Sequence, residues 1–370
     1  MNKTALHAAH GRLGAKMGEF AGYDMPLYYN EGVIKEHEWV RSHAGIFDVS
    51  HMGQITLHGE GVVDFLERLT PSDFKSKSHG RAQYTVLLNE QGGIIDDLII
   101  TRVADDRFFA VINAGCKDKD IGWIESQMPD DVRMIKHFDR SLIALQGPWS
   151  ERILHEVLGV EAHDLPYMHM MDSEALDGSE MFVSRVGYTG EDGFELSVFN
   201  ESVEEIWEKL LTHSVVKPIG LAARDSLRLE MGYALYGHEI DMTTSPVEAG
   251  VRWIIGKNCD RYLGYERIKK EMESGTGRSL VALKLTDKGI AREGAEILNA
   301  QGEKIGALTS GGHSPILKAS IGLGYVQAGY TAAGTKIQVN VRGKNIAAEI
   351  CALPFVPSRT KSMKKATAAA

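Results

Sequence analysis

Two adjacent carboxylates, Asp96 and Asp97, stand inside the apolar, β-branched run Gly92-Gly93-Ile94-Ile95-Asp96-Asp97-Leu98-Ile99-Ile100. A buried strand has no structural need for two acids side by side, and each is costly to bury without a partner. Neighbouring strand side chains point to opposite faces, so one Asp can face solvent or a turn while the other faces a cavity. At least one of the pair is therefore a candidate for chemistry. The competing reading places both at the mouth of a hairpin opened by Gly92-Gly93, accepting backbone N–H groups.

Gly187-Tyr188-Thr189-Gly190-Glu191-Asp192-Gly193-Phe194-Glu195-Leu196 is a second candidate, rich in glycines that allow close backbone approach and in acids. Strand alternation sets Glu195 opposite Phe194 and Leu196. If its face is a pocket, the carboxylate can accept two N–H donors from a planar heterocycle such as a 2-amino-4-oxopterin; if not, it is a solvent-facing residue on a half-exposed strand. In Ala222-Ala223-Arg224-Asp225-Ser226-Leu227-Arg228-Leu229-Glu230-Met231-Gly232-Tyr233, a helix ending near Gly232, Arg224 and Arg228 share a face. They read either as holders of a carboxylate or as an exposed charge ladder with Asp225 and Glu230. Asn113 ends a strand, where an amide can fix a ligand or make an Asx turn.

Familiar signatures are missing. Gly322-Leu323-Gly324 is followed by Gln327 where a dinucleotide fingerprint needs glycine, and Gly250 to Lys257 has the wrong spacing for a phosphate loop. Neither a zinc-protease nor a nucleophile-elbow motif is found. Cys116, Cys259 and Cys351 are odd in number, far apart and without C-x-x-C spacing, which suggests neither a disulfide framework nor a zinc site, and fits a reducing compartment. The histidines are scattered, and His37 and His43 on one helix read as surface or core-edge residues.

The elements that must position these groups are short strands, Tyr84 to Leu88, Ile94 to Val103, Phe108 to Ile112 and Leu142 to Leu145. Between them lie helical patterns, Glu31 to His43, Val62 to Leu69, Ser150 to Leu158, Val203 to Thr212 and Leu221 to Met231. Hairpin-like neighbours imply antiparallel pairing and an α+β class. Met272 to Ser279 reads as a linker. Beyond it, short strands with turn signals and almost no helix predict a β-barrel or sandwich. A length of 370 residues favours several domains, and a formal net charge of −9 disfavours a nucleic-acid partner. No run is long enough to span a bilayer, and the start has no export signal, so a soluble, cytoplasmic protein is expected. The basic run Arg359 to Lys365 reads as a frayed tail, which could also dock an acidic partner.

Several runs together resemble one family, the aminomethyltransferase or T-protein of the glycine cleavage system. They include Glu19 to Tyr28, Phe47-Asp48-Val49-Ser50-His51-Met52-Gly53, Gly92 to Leu98, Asn113-Ala114-Gly115 with Lys119-Asp120, Leu145 to Pro148, Gly187 to Leu196, Gly220 to Gly237, and Thr309 to Gly312 with Ser314-Pro315. They lie in order over nearly the whole chain. The resemblance implies a multi-domain, cloverleaf-like α+β fold with antiparallel sheets around a folate channel. It implies a folate-binding region over 5–271, made of two interleaved subdomains (1–50 plus 140–260, and 51–139), a C-terminal β-barrel over 278–357 and a flexible tail over 358–370.

By family position Asp97, rather than Asp96, is the acid beside the reacting N5 and N10 of folate. Glu195 holds the pterin edge with Arg224 close by, Tyr188 and Tyr233 pack in the pocket, and Tyr84 and Asn113 line it. The implied reaction takes an aminomethyl group from the dihydrolipoyl arm of the H-protein, releases ammonia and delivers the one-carbon unit to tetrahydrofolate as 5,10-methylene-tetrahydrofolate, with no metal. Related readings within the fold family are a folate-dependent demethylase of a small N- or S-methyl substrate and a non-enzymatic folate-binding module for iron–sulfur maintenance. A eukaryotic source would place the enzyme in the mitochondrial matrix. One departure is Thr360, where many members carry Tyr.

Overall fold

The computed structural model describes residues 1–361. Its strands form two open sheets, a short hairpin and a closed barrel, with helices packed on the sheets.

The first sheet has six strands in the order Met170–Glu174, Glu180–Ser184, Gly193–Phe199, Arg140–Gln146, Ala44–Asp48, Val216–Pro218. All neighbours are antiparallel except the last pair, a parallel contact the hairpin-based reading did not anticipate. Phe194, Leu196 and Val198 bury against the helices Ser150–Leu158 and Val203–Leu211 on one face. Phe47, Leu142 and Ala144 bury on the other, against Val33–Ser42 and Leu221–Met231. Because alternate strand residues change face, Glu195, in register with Ala144, is aimed at the side of the sheet that carries the helix of Arg224.

The second sheet runs Ala82–Leu88, Ile94–Ala104, Arg107–Ile112, Gly53–His58, Arg133–Lys136, antiparallel throughout. A register shift opposite Leu87 and Leu88 leaves Ile95 unpaired, a bulge that resets which side chains face which way. Asp96 then shares the face of Leu98 and Ile100, under the helix Lys117–Gln127, and Asp97 shares that of Tyr84 and Val86. The hairpin before the strand closes without either acid. Asn89 Oδ1 accepts the amides of Gln91 and Gly93, so the turn-capping reading of the Asp pair does not hold. Gly93 is required by close approach, since a Cβ there would lie 1.8 Å from the Met242 carbonyl oxygen.

Arg278–Leu285, Ala319–Gln327, Lys304–Ser314, Glu296–Leu298, Lys336–Val341 and Lys344–Cys351 close a six-stranded barrel. Its interior is filled by aliphatic side chains such as Leu283, Ile297 and Val339. Its outer wall, through Ala282, Ile321 and Leu323, packs on Leu229 of the helix Leu221–Met231.

Several expectations need correction. The helix Tyr265–Ser274 takes up the start of the supposed linker, leaving only 275–277 between it and the barrel. Periodicity missed it, together with His7–Arg12 and Lys117–Gln127, because these helices are short or carry few apolar residues. Within the expected 140–260 portion, Ile240, Ala249 and Ile254 pack with Val86, Leu88 and Ile94 of the second sheet, and Tyr262 and Ile268 join the same cluster. The tail is docked at its start: Arg359 donates to Glu191 at 2.6 Å and Lys361 to Glu151 at 2.9 Å. The remainder of the expected flexible tail lies outside the described residues. His37 is fully buried and bonds Glu230, and His43 follows the helix and stacks on Trp39.

Candidate functional site

Where the two sheets, the helix Leu221–Met231 and the barrel meet, they enclose a cavity of about 1110 Å³. Tyr84, Asp97, Asn113, Tyr188, Glu195, Arg224 and Tyr233 all line it. No single element could supply this set. The second sheet contributes Tyr84 and Asp97, the residue just past its strand Arg107–Ile112 is Asn113, the first sheet contributes Glu195, and the helix contributes Arg224. The barrel adds Leu280 to the wall and the segment after it adds Leu353.

Asp97 is held on two sides, by the Tyr84 hydroxyl at 3.0 Å and Asn113 Nδ2 at 2.9 Å. Burial, reinforced by the charge of Asp96, pushes its carboxyl up to about 7, against the opposing pull of the Tyr84 and Asn113 bonds. A carboxyl titrating there can exchange a proton at neutral pH. Asp96 faces neither solvent nor a turn. It is fully buried, accepts from Asn113 Nδ2 at 3.0 Å and lies near Cys116 and Asp120.

Glu195 is 7% exposed, and among the described residues no donor bonds its carboxylate. Burial raises its pKa and the Arg224 charge partly offsets this. Arg224 lies over the Tyr188 ring at 4.9 Å, with Nη1 buried and unpartnered. Tyr188 stacks on Tyr233 at 5.7 Å between centroids and donates its hydroxyl to the Ala234 carbonyl. The two arginines four residues apart thus divide their work. Arg228 turns away to Asp225, Glu239 and Ser310, at 2.8, 2.9 and 2.9 Å, and to the Tyr233 carbonyl at 3.1 Å. The exposed-ladder reading fails for Glu230 as well, which is buried and paired with His37 and Arg41. Of the other acids in the glycine-rich run, Glu191 pairs with Arg41 and Asp192 with Arg185, both structural contacts.

Three lining groups were not singled out from sequence. Trp253 stacks on Tyr84 at 5.7 Å while remaining 64% exposed at the cavity edge. In the sequence its segment stands out only as a glycine-to-lysine run with the wrong spacing for a phosphate loop. His51 is buried with Nδ1 unpartnered, and burial lowers its pKa to about 4, so the ring is neutral. It belongs to one of the matching runs, yet nothing in its local spacing marks it. Lys119 sits over the Tyr236 ring at 3.9 Å. The missed helix carries it.

Residues 6–259 match the GCVT N-terminal domain, and residues 278–357 match the glycine cleavage T-protein C-terminal barrel domain. An aminomethyltransferase of Chloroherpeton thalassium is 41% identical over 362 residues, 96% of this chain and 99% of its own. A mitochondrial aminomethyltransferase of Saccharomyces cerevisiae is 42% identical over 380 residues, 97% of this chain and 95% of its own. A crystal structure of glycine cleavage system aminomethyltransferase T from Bartonella henselae superposes with a TM-score of 0.91 at 39% identity, covering 97% of this chain and 99% of that one.

Proposed function

From the premise that this chain belongs to the glycine cleavage T-protein family of aminomethyltransferases, we propose that it moves a one-carbon unit from an aminomethyl group on the dihydrolipoyl arm of an H-protein to tetrahydrofolate, releasing ammonia. The observation that carries this reading is the pairing of two unlike carboxylates on one cavity. Glu195 is buried without a donor, and Asp97 is held by Tyr84 and Asn113.

A buried carboxylate without a donor is a receptor for one, because satisfying it recovers a desolvation cost. Glu195 would take two N–H groups from the pterin edge, and Arg224, with its unpartnered Nη1, would accompany it. Tyr188 and Tyr233, already stacked, offer a flat apolar surface for the ring. When bound, tetrahydrofolate supplies the nucleophilic nitrogens that take up the one-carbon unit as 5,10-methylene-tetrahydrofolate.

Asp97 acts where positive charge develops on the one-carbon unit as the amine leaves. Its ionised form stabilises that charge, and its position near neutrality lets it accept or return a proton. Tyr84 and Asn113 keep the carboxylate from rotating away. No helix among the described residues is long and apolar enough to cross a membrane. We place the reaction in the cytoplasm, or in the mitochondrial matrix if the source is eukaryotic.

The test is formation of 5,10-methylene-tetrahydrofolate and ammonia by the purified chain with aminomethylated H-protein, beside the same assay with free N-methyl and S-methyl compounds. Product with the H-protein substrate alone is the expected outcome. Turnover of the free compounds without H-protein would overturn the proposed donor.

A further inference from the structure

On the face of the strand opposite Asp97 lies a buried group of polar side chains, which borders the cavity through Cys116. Asp96 and Asp120 are both fully buried, and with Cys116 their ligand-type atoms lie within 4.8 Å of one another. Neither oxygen of Asp120 has a hydrogen-bond donor. The Lys119 ammonium is 3.5 Å from Oδ1, but it donates to the Ile95 carbonyl and lies over the Tyr236 ring. Two ionised carboxylates this close, with no donor on one of them, would be strongly repulsive in a dry site. A proton on Asp120 removes both difficulties, turning an orphaned acceptor into a donor aimed at Asp96.

We propose that Asp120 and Asp96 share one proton, and that this acid–carboxylate pair positions Asn113 and, through it, Asp97. Asn113 Nδ2 donates to Asp96 Oδ1 at 3.0 Å, to the Asp97 carbonyl at 2.9 Å and to Asp97 Oδ1 at 2.9 Å, and its backbone amide reaches Asp96 Oδ2 at 3.3 Å. Asp96 is thus the anchor that sets the amide plane, and Asp120 is the group that keeps Asp96 a hydrogen-bonded acceptor. Burial first, then the adjoining Asp96 carboxylate and its charge, hold Asp120 up to about 10, with the Lys119 ammonium opposing. The other ionisable groups around the pair are Cys116, whose thiol is pushed up by burial, Lys119 and Tyr236 on one side, and Asp97 and Tyr84 on the other. Lys119 is the only cation among them, and it leaves the cluster net negative when both acids ionise. Asp96 and Asp120 are positioning residues, since neither lines the cavity.

The inference rests on the proposed role of Asp97, but its first test needs no substrate. Infrared difference spectra between the full-length protein and its Asp120→Asn variant at about pH 8.5, where exposed carboxyls are ionised, should contain a protonated-carboxyl band that the variant lacks. The absence of such a band would overturn the shared proton. In the aminomethyl-transfer assay, Asp120→Ala should lower kcat on the order of tenfold to a hundredfold with KM little changed, as expected for a displaced reacting group. Asp120→Asn, whose amide can still donate to Asp96, should recover most of that loss. Asp96→Asn should move the acid limb of the kcat/KM profile down by about one pH unit, because it removes a like charge behind Asp97. Equal losses in both Asp120 variants, or an unmoved limb in Asp96→Asn, would overturn the positioning role. Failure of aminomethyl transfer in the wild type with the infrared band intact would instead refute the proposed function and leave the pair standing.

Discussion

Glu230 and Glu195 are carboxylates buried near the same helix, one on it and one facing it, and they have opposite fates. Glu230 is fully buried and receives His37 Nε2 at 3.0 Å, Arg41 Nη2 at 2.7 Å and the Ser314 hydroxyl at 2.5 Å. Burial alone would raise its pKa, but these partners more than offset it and hold the carboxyl at about 2. Glu195 is nearly as buried, has no donor, and is raised. The first ties the helix Val33–Ser42, the helix Leu221–Met231 and the barrel together. The second is left open to a cavity. Burial of a charge therefore does not by itself fix its state; which donors the fold brings to it does.

The sharpest way to break the comparison is to empty each side in turn. Glu230→Ala leaves Arg41 and His37 without their shared acceptor, and removing one partner of a buried ion pair costs about 3–5 kcal/mol. Denaturant unfolding should register a loss of that size, and a stable Glu230→Ala protein would mean that the network is dispensable. Asp97→Asn should act on the other side alone. Turnover should fall on the order of tenfold to a thousandfold, as for loss of one electrostatic stabiliser, with tetrahydrofolate affinity little changed in calorimetric titration. Glu195→Ala should weaken tetrahydrofolate binding by about 1.5–3 kcal/mol, the range for hydrogen bonds to a charged group, without a matching loss of fold stability. Wild-type affinity in that variant would remove Glu195 from the site.

Acid titration separates the two sides by sign. Glu230 is lowered, so its contribution is present above the ordinary Glu value and is lost as pH falls towards about 2. Asp97 is raised, so the folded chain holds a proton that the unfolded chain has released, and stability declines as pH rises from the ordinary Asp value through about 7. Asp97→Asn should therefore melt at or above the wild type at pH 8 despite its lost turnover, and a lower melting temperature would reverse the assigned sign. The acid limb of wild-type turnover should fall near the same value. The smallest effect belongs to Arg359→Ala. That side chain is about half exposed, and Glu191 keeps Arg41 as a partner, so the loss should be under about 1 kcal/mol in thermal unfolding.

Much of the architecture was legible locally. Strand spacing past Ser279 anticipated an all-β module, barrel or sandwich, and the helix Leu221–Met231 ends before Gly232, whose φ of 71° suits a residue without a side chain. Of the seven candidate site residues, six were nameable because each is an unusual type in its own segment or falls in a run resembling a known family, and Tyr84 only by its position in that family. What spacing could not convey was direction. The bulge at Ile95 sends Asp96 to the buried side and Asp97 to the cavity, and Arg228 is drawn away from Arg224 by Glu239, past the end of the helix, and by Ser310, far along the chain.

Which segments alternate, which carry the acids and where the all-β module begins can be read along the chain, because these depend on neighbours within a few positions. That Glu230 is satisfied and Glu195 is not, that Asp120 sits behind Asp96, and that Arg359 and Lys361 are docked emerges in the folded chain alone. Each of those outcomes depends on a partner far away in sequence, and the fate of a buried charge is set by which donors the fold brings to it rather than by the residues beside it in the chain.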